Sequence, residues 1–302
     1  MSRAVGYSEY GGPEVLGIVE VPEPHAGAGT VRVAVRAAGV NPFDSKVRRG
    51  GYLPNHSLPS LQGAEFAGVI DEIGDDVEEW EIGDDVLGWI GRGAQAEYVV
   101  VSASHLAAKP PSLDWDRAGG IGLVGNTAMR ATASLGITAD DTVLVSGAAG
   151  GVGLLSAQLA RKTGATVIGT ASERHHELLG RLGIVPVAYG PGLIDRLRVL
   201  APSGITAALD SRGGETIEAA LALGAAAGRI NSTFDGAADH YGVNSVGGGG
   251  KTAAELAELA RLLDQGELVL PIRAHYPLAE ASAAYADLDS GHGLGKIVLT
   301  VP

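Results

Sequence analysis

The stretch Val145-Ser-Gly-Ala-Ala-Gly-Gly-Val-Gly153 sets glycines at 147, 150 and 153. They lie between an apolar run, 142–145, and a segment, 151–163, whose apolar residues at 152, 155, 159 and 160 recur with helical period. Glycines at these positions suit a phosphate-bearing ligand. Gly147 permits a tight turn, Gly150 lets the backbone approach a pyrophosphate, and Gly153 lets helix and strand close on each other. The start of the helix adds unpaired N–H groups and partial positive charge. An ordinary strand-to-helix turn in a glycine-rich chain is the plain alternative. The flanking strand, helix and second strand favour dinucleotide binding.

The second strand, 166–169, runs into Thr170-Ala171-Ser172, where an NAD-binding chain would carry an acid for the ribose 2′-hydroxyl, about 20 residues after the glycines. No acid stands there. Ser172 and Arg174 instead offer a hydroxyl and a guanidinium suited to a 2′-phosphate, so NADPH is expected over NADH. Each also has a plainer use: Ser172 as the N-cap of the following helix with Glu173 in its first turn, Arg174 as a surface arginine. His175 and His176 are adjacent and diverge by about 100° on a helix, so they do not form a one-face metal pair. They read mainly as solvated helix residues, one a candidate for the adenosine pocket.

These groups need a scaffold. Before about residue 118, short runs rich in valine and isoleucine (30–37, 66–73, 97–101) alternate with glycine, proline and aspartate, which predicts an irregular, mostly β module. Beyond it, strands at 142–146, 166–169, 185–188, 205–209 and 228–231 alternate with helices at 151–163, 173–182, 193–200 and 215–226. That order implies parallel pairing with right-handed crossovers, hence a doubly wound α/β sheet. A glycine-rich connection, 232–251, precedes a periodic helix at 252–265, and the chain closes as strand (268–275), helix (278–290) and strand (296–301). The segment Asp71–Asp85 holds nine acids and no base, yet its apolar residues Val77, Trp80 and Ile82 predict a solvated turn rather than a calcium site.

Composition narrows the partners. The chain has 302 residues, room for two domains, and its formal charge of −13 argues against nucleic acid or an anionic membrane surface. It contains no cysteine, which removes disulfides, thiolate metal sites and a cysteine nucleophile, and with no signal or membrane segment it reads as cytoplasmic.

The whole chain resembles the zinc-free quinone oxidoreductase branch of the medium-chain dehydrogenase/reductase superfamily. The motifs are Ala37-Ala-Gly-Val-Asn-Pro-Phe-Asp44, Arg49-Gly-Gly-Tyr-Leu-Pro54, Gly63-Ala-Glu-Phe-Ala-Gly-Val69, Gly83-Asp-Asp-Val86, Asn126-Thr-Ala128, Ala148-Ala-Gly-Gly-Val-Gly153 and Gly293-Leu-Gly-Lys-Ile-Val298. The resemblance implies a bipartite distorted β-barrel, the GroES-like catalytic domain (1–117 plus 268–302), with a Rossmann NADPH-binding domain (118–267) inserted. It also implies an active site in the cleft between them, and a homodimer. Zinc-dependent relatives carry a cysteine ligand where this chain has Asn41, and Gly-His-Glu where it has Gly63-Ala64-Glu65. No metal is therefore expected, and the chemistry implied is direct hydride transfer from NADPH to a quinone or an α,β-unsaturated carbonyl.

By the same resemblance Tyr52 and Asn41 flank nicotinamide and substrate. Tyr52 would donate a hydrogen bond or proton to the oxygen that gains charge, and Asn41 would orient substrate or carboxamide. Thr127, Gly151, Val152, Tyr189 and Asn231 fall at cofactor-binding positions, with Tyr189 near the 2′-phosphate. Gln95 stands where an aromatic is common, and Gly183-Ile-Val185 where Gly-Ala-Asp is usual, which alters local pocket shape. Two other readings accompany this one: a specific enoyl or enone reductase of a biosynthetic pathway, and a non-enzymatic NADPH-binding sensor or structural protein.

Overall fold

The computed structural model describes residues 1–51, 57–246, 250–291 and 293–302. Tyr52 and Gly247–Gly249 thus lie outside the described residues. The chain divides into two compact units, Met1–Leu123 with Lys251–Pro302, and Val124–Gly250. These edges differ from the expected 118 and 267.

The first unit begins with eight strands: β1 (Ser2–Tyr7), β2 (Gly17–Val21), β3 (Thr30–Val40), β4 (Ser60–Leu61), β5 (Glu65–Ile73), β6 (Asp85–Trp89), β7 (Tyr98–Ser102) and β8 (Leu106–Ala108). Helix α1 (Pro42–Arg48) follows β3, and α2 (Trp115–Ala133) follows β8, running across the unit boundary. β3 shows why a half-buried strand forms. Val31, Val33 and Val35 alternate inward and are at most 1% exposed, while Thr30, Arg32 and Ala34 face outward. The inward valines meet Phe66, Ile70 and Val86 in one core. The acid-rich stretch is a turn from β5 to β6, with Val77 and Trp80 packed on that core and the Trp80 Nε1–H donating to the Ala103 carbonyl at 3.2 Å.

The second unit holds five parallel strands, β9 (Thr142–Val145), β10 (Thr166–Thr170), β11 (Val185–Val187), β12 (Ala207–Asp210) and β13 (Ile230–Ser232), in the order β11-β10-β9-β12-β13. Register is set by Val143 opposite Val167 on one side and Ala207 on the other. Its helices are α3 (Gly151–Lys162), α4 (His176–Arg181), α5 (Leu193–Leu200), α6 (Glu215–Ala222) and α7 (Ala237–Tyr241). This is the doubly wound sheet the alternation predicts. Two helices are shorter than expected. Residues 173–175 form a single 3-10 turn before α4, and α6 ends before Leu223 and the left-handed Gly224.

The chain then returns to the first unit through α8 (Ala253–Asp264), β14 (Ile272–Pro277), α9 (Ala281–Asp289) and β15 (Lys296–Thr300). α8 starts on a capping box: Thr252 Oγ1 accepts from the Glu255 N–H, and the Glu255 carboxylate from the Thr252 N–H, both at 3.1 Å. Its leucines pack on β6 and β8, which is why this helix sits with the first unit. β14 lies further along the chain than the expected 268–275, with Leu268 and Leu270 buried ahead of it. β15 pairs antiparallel with the end of β3 and completes a sheet in the order β14-β15-β3-β5-β6-β8, with β7 also on β3. Among the described residues no helix is long and apolar enough to cross a membrane.

Candidate active site

In the second unit the glycine loop is built by close approaches. Gly147 has φ +57°, a left-handed turn, and a Cβ on Gly153 would fall 2.3 Å from the Gly147 carbonyl oxygen. Only glycine allows α3 to start so near β9. A small recess of about 10 Å³ opens beside the loop, lined in part by Val152, Gly153, Asp210, Asn231 and Thr233. Asn231 is buried. Its Nδ2 donates to Ser134 Oγ at 3.0 Å, and its Oδ1 has no hydrogen-bond partner. An unpaired buried acceptor beside the glycine loop fits a ligand that brings a donor. Thr127 is half-buried on α2.

At the end of β10 the structure brings Ser172 and Tyr189 together, their hydroxyl oxygens 3.2 Å apart. Ser172 stands at the N-cap position of the 3-10 turn, but its side chain makes no capping bond. Arg174 is exposed, its Nε donating to His175 Nε2 at 3.2 Å. His176 is half-buried and its Nε2 lies 3.2 Å from the Ala171 carbonyl oxygen, so it helps hold the strand end. The residues expected to read a 2′-phosphate therefore follow the ends of two paired strands, Ser172 and Arg174 after β10 and Tyr189 after β11.

Beneath the loop lies a carboxylate that inspection of the sequence passed over. Asp210, the last residue of β12, accepts from Ser146 Oγ (2.7 Å), Ser232 Oγ (2.6 Å) and the N–H groups of Arg212 and Gly213 (3.0–3.2 Å). Ser146 Oγ in turn accepts from the Ser211 N–H at 2.7 Å. The turns after β9, β12 and β13 are thus tied to one buried acid. A lone aspartate closing the apolar run Ala207-Ala-Leu-Asp210 was the available signal.

In the first unit Asn41 is 1% exposed and sits between two charges. Its Nδ2 donates to Glu65 Oε1 at 2.7 Å, while its Oδ1 accepts from Lys296 Nζ at 2.7 Å. Lys296 also donates to Glu65 Oε1 at 2.9 Å and to the Val40 carbonyl at 3.1 Å, and the Leu123 N–H donates to Glu65 Oε2 at 2.6 Å. The carboxylate fits because Gly39 has no side chain; a Cβ there would fall 2.0 Å from Glu65 Oε1. Glu65 and Lys296 were not picked out from sequence, although a lysine heading the apolar strand Lys296-Ile-Val-Leu-Thr300 is unusual enough to have done so.

A second acid lies close by. Asp44 accepts from the Asn41 N–H at 3.0 Å. Burial, reinforced by the nearby Glu65 charge, pushes its carboxyl up to about 7 against the opposing pull of Lys296. Tyr285 beside it has its phenol pushed well up by burial and by Asp44, and accepts from Gln95 Nε2 at 2.9 Å. Gln95, the departure from an aromatic, thus serves as a buried donor, reaching the Gly39 carbonyl as well.

Where zinc-dependent relatives would place ligands, the chain presents an amide, a methyl group and a carboxylate on which an ammonium already rests. This donor set does not fit a zinc ion. No group of three or more potential metal-ligating side chains occurs among the described residues.

A β unit completed by the C-terminal return, joined to a parallel sheet with a glycine-rich loop after its first strand, defines an oxidoreductase of the medium-chain dehydrogenase/reductase type. The alcohol dehydrogenase GroES-like domain matches residues 27–111 and the zinc-binding dehydrogenase family residues 187–299. The mouse quinone oxidoreductase is 30% identical over 99% of this chain and 98% of its own length. The structure of the Coxiella burnetii quinone oxidoreductase superposes with a TM-score of 0.90, at 29% identity over 100% of this chain and 99% of that one. The Escherichia coli quinone oxidoreductase complexed with NADPH gives 0.88, at 26% identity over 99% of each chain. The chain belongs to the quinone oxidoreductase branch of this superfamily.

Proposed function

We propose that this protein is an NADPH-dependent oxidoreductase that reduces a quinone, or a related α,β-unsaturated carbonyl compound, by direct hydride transfer without a metal. The observation that carries the cofactor choice is the end of β10. It offers the paired hydroxyls of Ser172 and Tyr189 with the exposed Arg174 beside them, and carries no acid at residues 170–172. When bound, NADPH supplies the hydride.

The chain's own residues do the rest. The 147–153 loop and the α3 N-terminus hold the diphosphate, Ser172, Arg174 and Tyr189 the 2′-phosphate, and Thr127, Val152 and Asn231 line the remainder of the cofactor. Asn41 acts as a positioning residue, its amide locked between Glu65 and Lys296. Tyr52 is assigned by resemblance as donor to the acceptor oxygen. The first unit is read as the catalytic domain and the second as the NADPH-binding one. The protein is read as a cytoplasmic homodimer, the former from its cysteine-free composition and the latter by family resemblance.

Stopped-flow oxidation of NADPH against quinone and enone panels, with a chelator present, tests this reading. Quinone-dependent oxidation is expected, with NADH roughly ten- to a hundredfold poorer, the value of one charge-assisted phosphate contact. Tight NADPH binding with no acceptor reduced would leave the binding-protein reading in its place.

A further inference from the structure

We propose that Arg212 is a second basic clamp on the dinucleotide, holding its diphosphate from the β12 side of the glycine loop; this rests on the NADPH reading above. Arg212 follows Asp210, and the path of its backbone is fixed where the Asp210 carboxylate accepts the N–H groups of Arg212 and Gly213. Its side chain then crosses the loop. Cγ and Cδ lie 3.0 and 3.4 Å from where a Cβ on Gly147 would stand, so the aliphatic stem covers the first turn of the phosphate loop. Arg212 itself is exposed.

Its electrostatic situation is unusual for this chain. Net charge is −13, and other arginines of the same unit have partners: Arg181 meets Glu177, Arg198 meets Asp195, Arg229 meets Asp141, and Arg196 holds the Ala188 and Gly190 carbonyls. Among the described residues the Arg212 side chain has no hydrogen bond and no ion pair. Its stem lies instead on the first turn of the loop that leads into α3, a helix whose N-terminus is electropositive. The Asp210 carboxylate beneath the loop is engaged by hydroxyls and N–H groups and receives no bond from the Arg212 guanidinium, so an anion that touches both the loop and the guanidinium stabilises the pair. A diphosphate presents oxygens to the loop N–H groups and to a guanidinium fork at once.

The diphosphate is common to NADPH and NADH, so Arg212 supplies affinity without selectivity, the reverse of Arg174. Fluorescence titrations of the full-length protein with NADPH, NADH and ADP-ribose test this, using wild type, Arg212→Ala, Arg212→Lys and Arg174→Ala. Arg212→Ala is expected to weaken all three ligands by a similar factor, roughly tenfold for a partly solvated charge-assisted contact. Arg212→Lys should recover part of the loss, and the salt dependence of binding should flatten. Arg174→Ala should weaken NADPH alone. Unchanged affinity in Arg212→Ala overturns the proposal, as does a loss confined to NADPH or one absent from ADP-ribose, which keeps the diphosphate and lacks the nicotinamide. Wild-type protein that bound neither nucleotide would remove the cofactor reading itself, and this inference with it; wild-type binding with an unaffected Arg212→Ala removes this inference only.

Discussion

Glu65 in the first unit and Asp210 in the second are 1% and 3% exposed, and each is a carboxylate with every nearby bond made by this chain. Glu65 is held by a full opposite charge, the ammonium of Lys296, with one amide and one N–H in support. Asp210 is held only by neutral donors, two hydroxyls and the N–H groups of the following turn. An ion pair keeps two charges out of water through a single partner. A ring of hydroxyls and amides divides the same task among several, and each can be lost without leaving the charge alone. The first arrangement suits a cluster that fixes Asn41, the second a set of loops that must fit around a ligand.

The difference is broken most severely by Lys296→Met. Glu65 would then be a buried, uncompensated charge, and urea denaturation should show a loss of about 3 to 5 kcal/mol. Adding Glu65→Gln to Lys296→Met should restore more than half of that, since the mismatch disappears with the charge. A single-variant loss below about 1 kcal/mol, the range of ordinary surface changes, would mean the ammonium does not hold the carboxylate in the way its distances imply.

Asp44 sharpens the same contrast through pH. Its carboxyl is raised to about 7 by burial and by Glu65, while in the unfolded chain it ionises near 3.8. Between those values the folded protein binds the extra proton, so raising pH favours unfolding. The contribution is complete below pH 3.8 and is lost upward to about 7; from pH 5 to 7 it amounts to about 2 kcal/mol, at about 1.4 kcal/mol per pH unit. Asp141 in the second unit has the opposite sign. Burial raises it, but the Thr206 hydroxyl, the Thr138 N–H and Arg229 overcome that and hold it at about 2, so its stabilisation is lost as pH falls. Urea midpoints measured from pH 5 to 8 should decline less steeply in Asp44→Asn than in wild type. Parallel profiles would reject the assignment.

What could be read from sequence follows from how local each cause is. The valine-rich run 30–37, the glycine spacing at 147–153 and the periodic segment 252–265 are each set locally, and the strand, loop and helix appear where they predict. Glu65 and Lys296 are 231 positions apart, and neither announces the other. Their pairing depends on β15 reaching β3, a consequence of topology. Ser172 has the residue type of a helix cap, yet Tyr189 is within reach of its hydroxyl and the turn after it is 3-10, so a tertiary contact accompanies the loss of a local preference. Asn41 falls at a position expected to face substrate, but the charges around it, invisible in its own motif, are the ones its amide meets.

The smallest effect is expected from Ser146→Ala. Ser146 Oγ donates to Asp210 at 2.7 Å and accepts from the Ser211 N–H at 2.7 Å, so the change removes two bonds beneath the glycine loop. Asp210 still keeps the Ser232 hydroxyl and the Gly213 N–H, and no charge is stranded. Loss of stability should therefore be about 1 to 2 kcal/mol, well below that of Lys296→Met. Because Ser146 immediately precedes Gly147 and anchors the turn that carries Arg212, NADPH affinity should fall by a few fold while the affinity ratio of NADPH to NADH stays constant. Loss as large as that of Lys296→Met would show that the hydroxyl ring is as unforgiving as the ion pair, and the contrast between the two buried acids would fail.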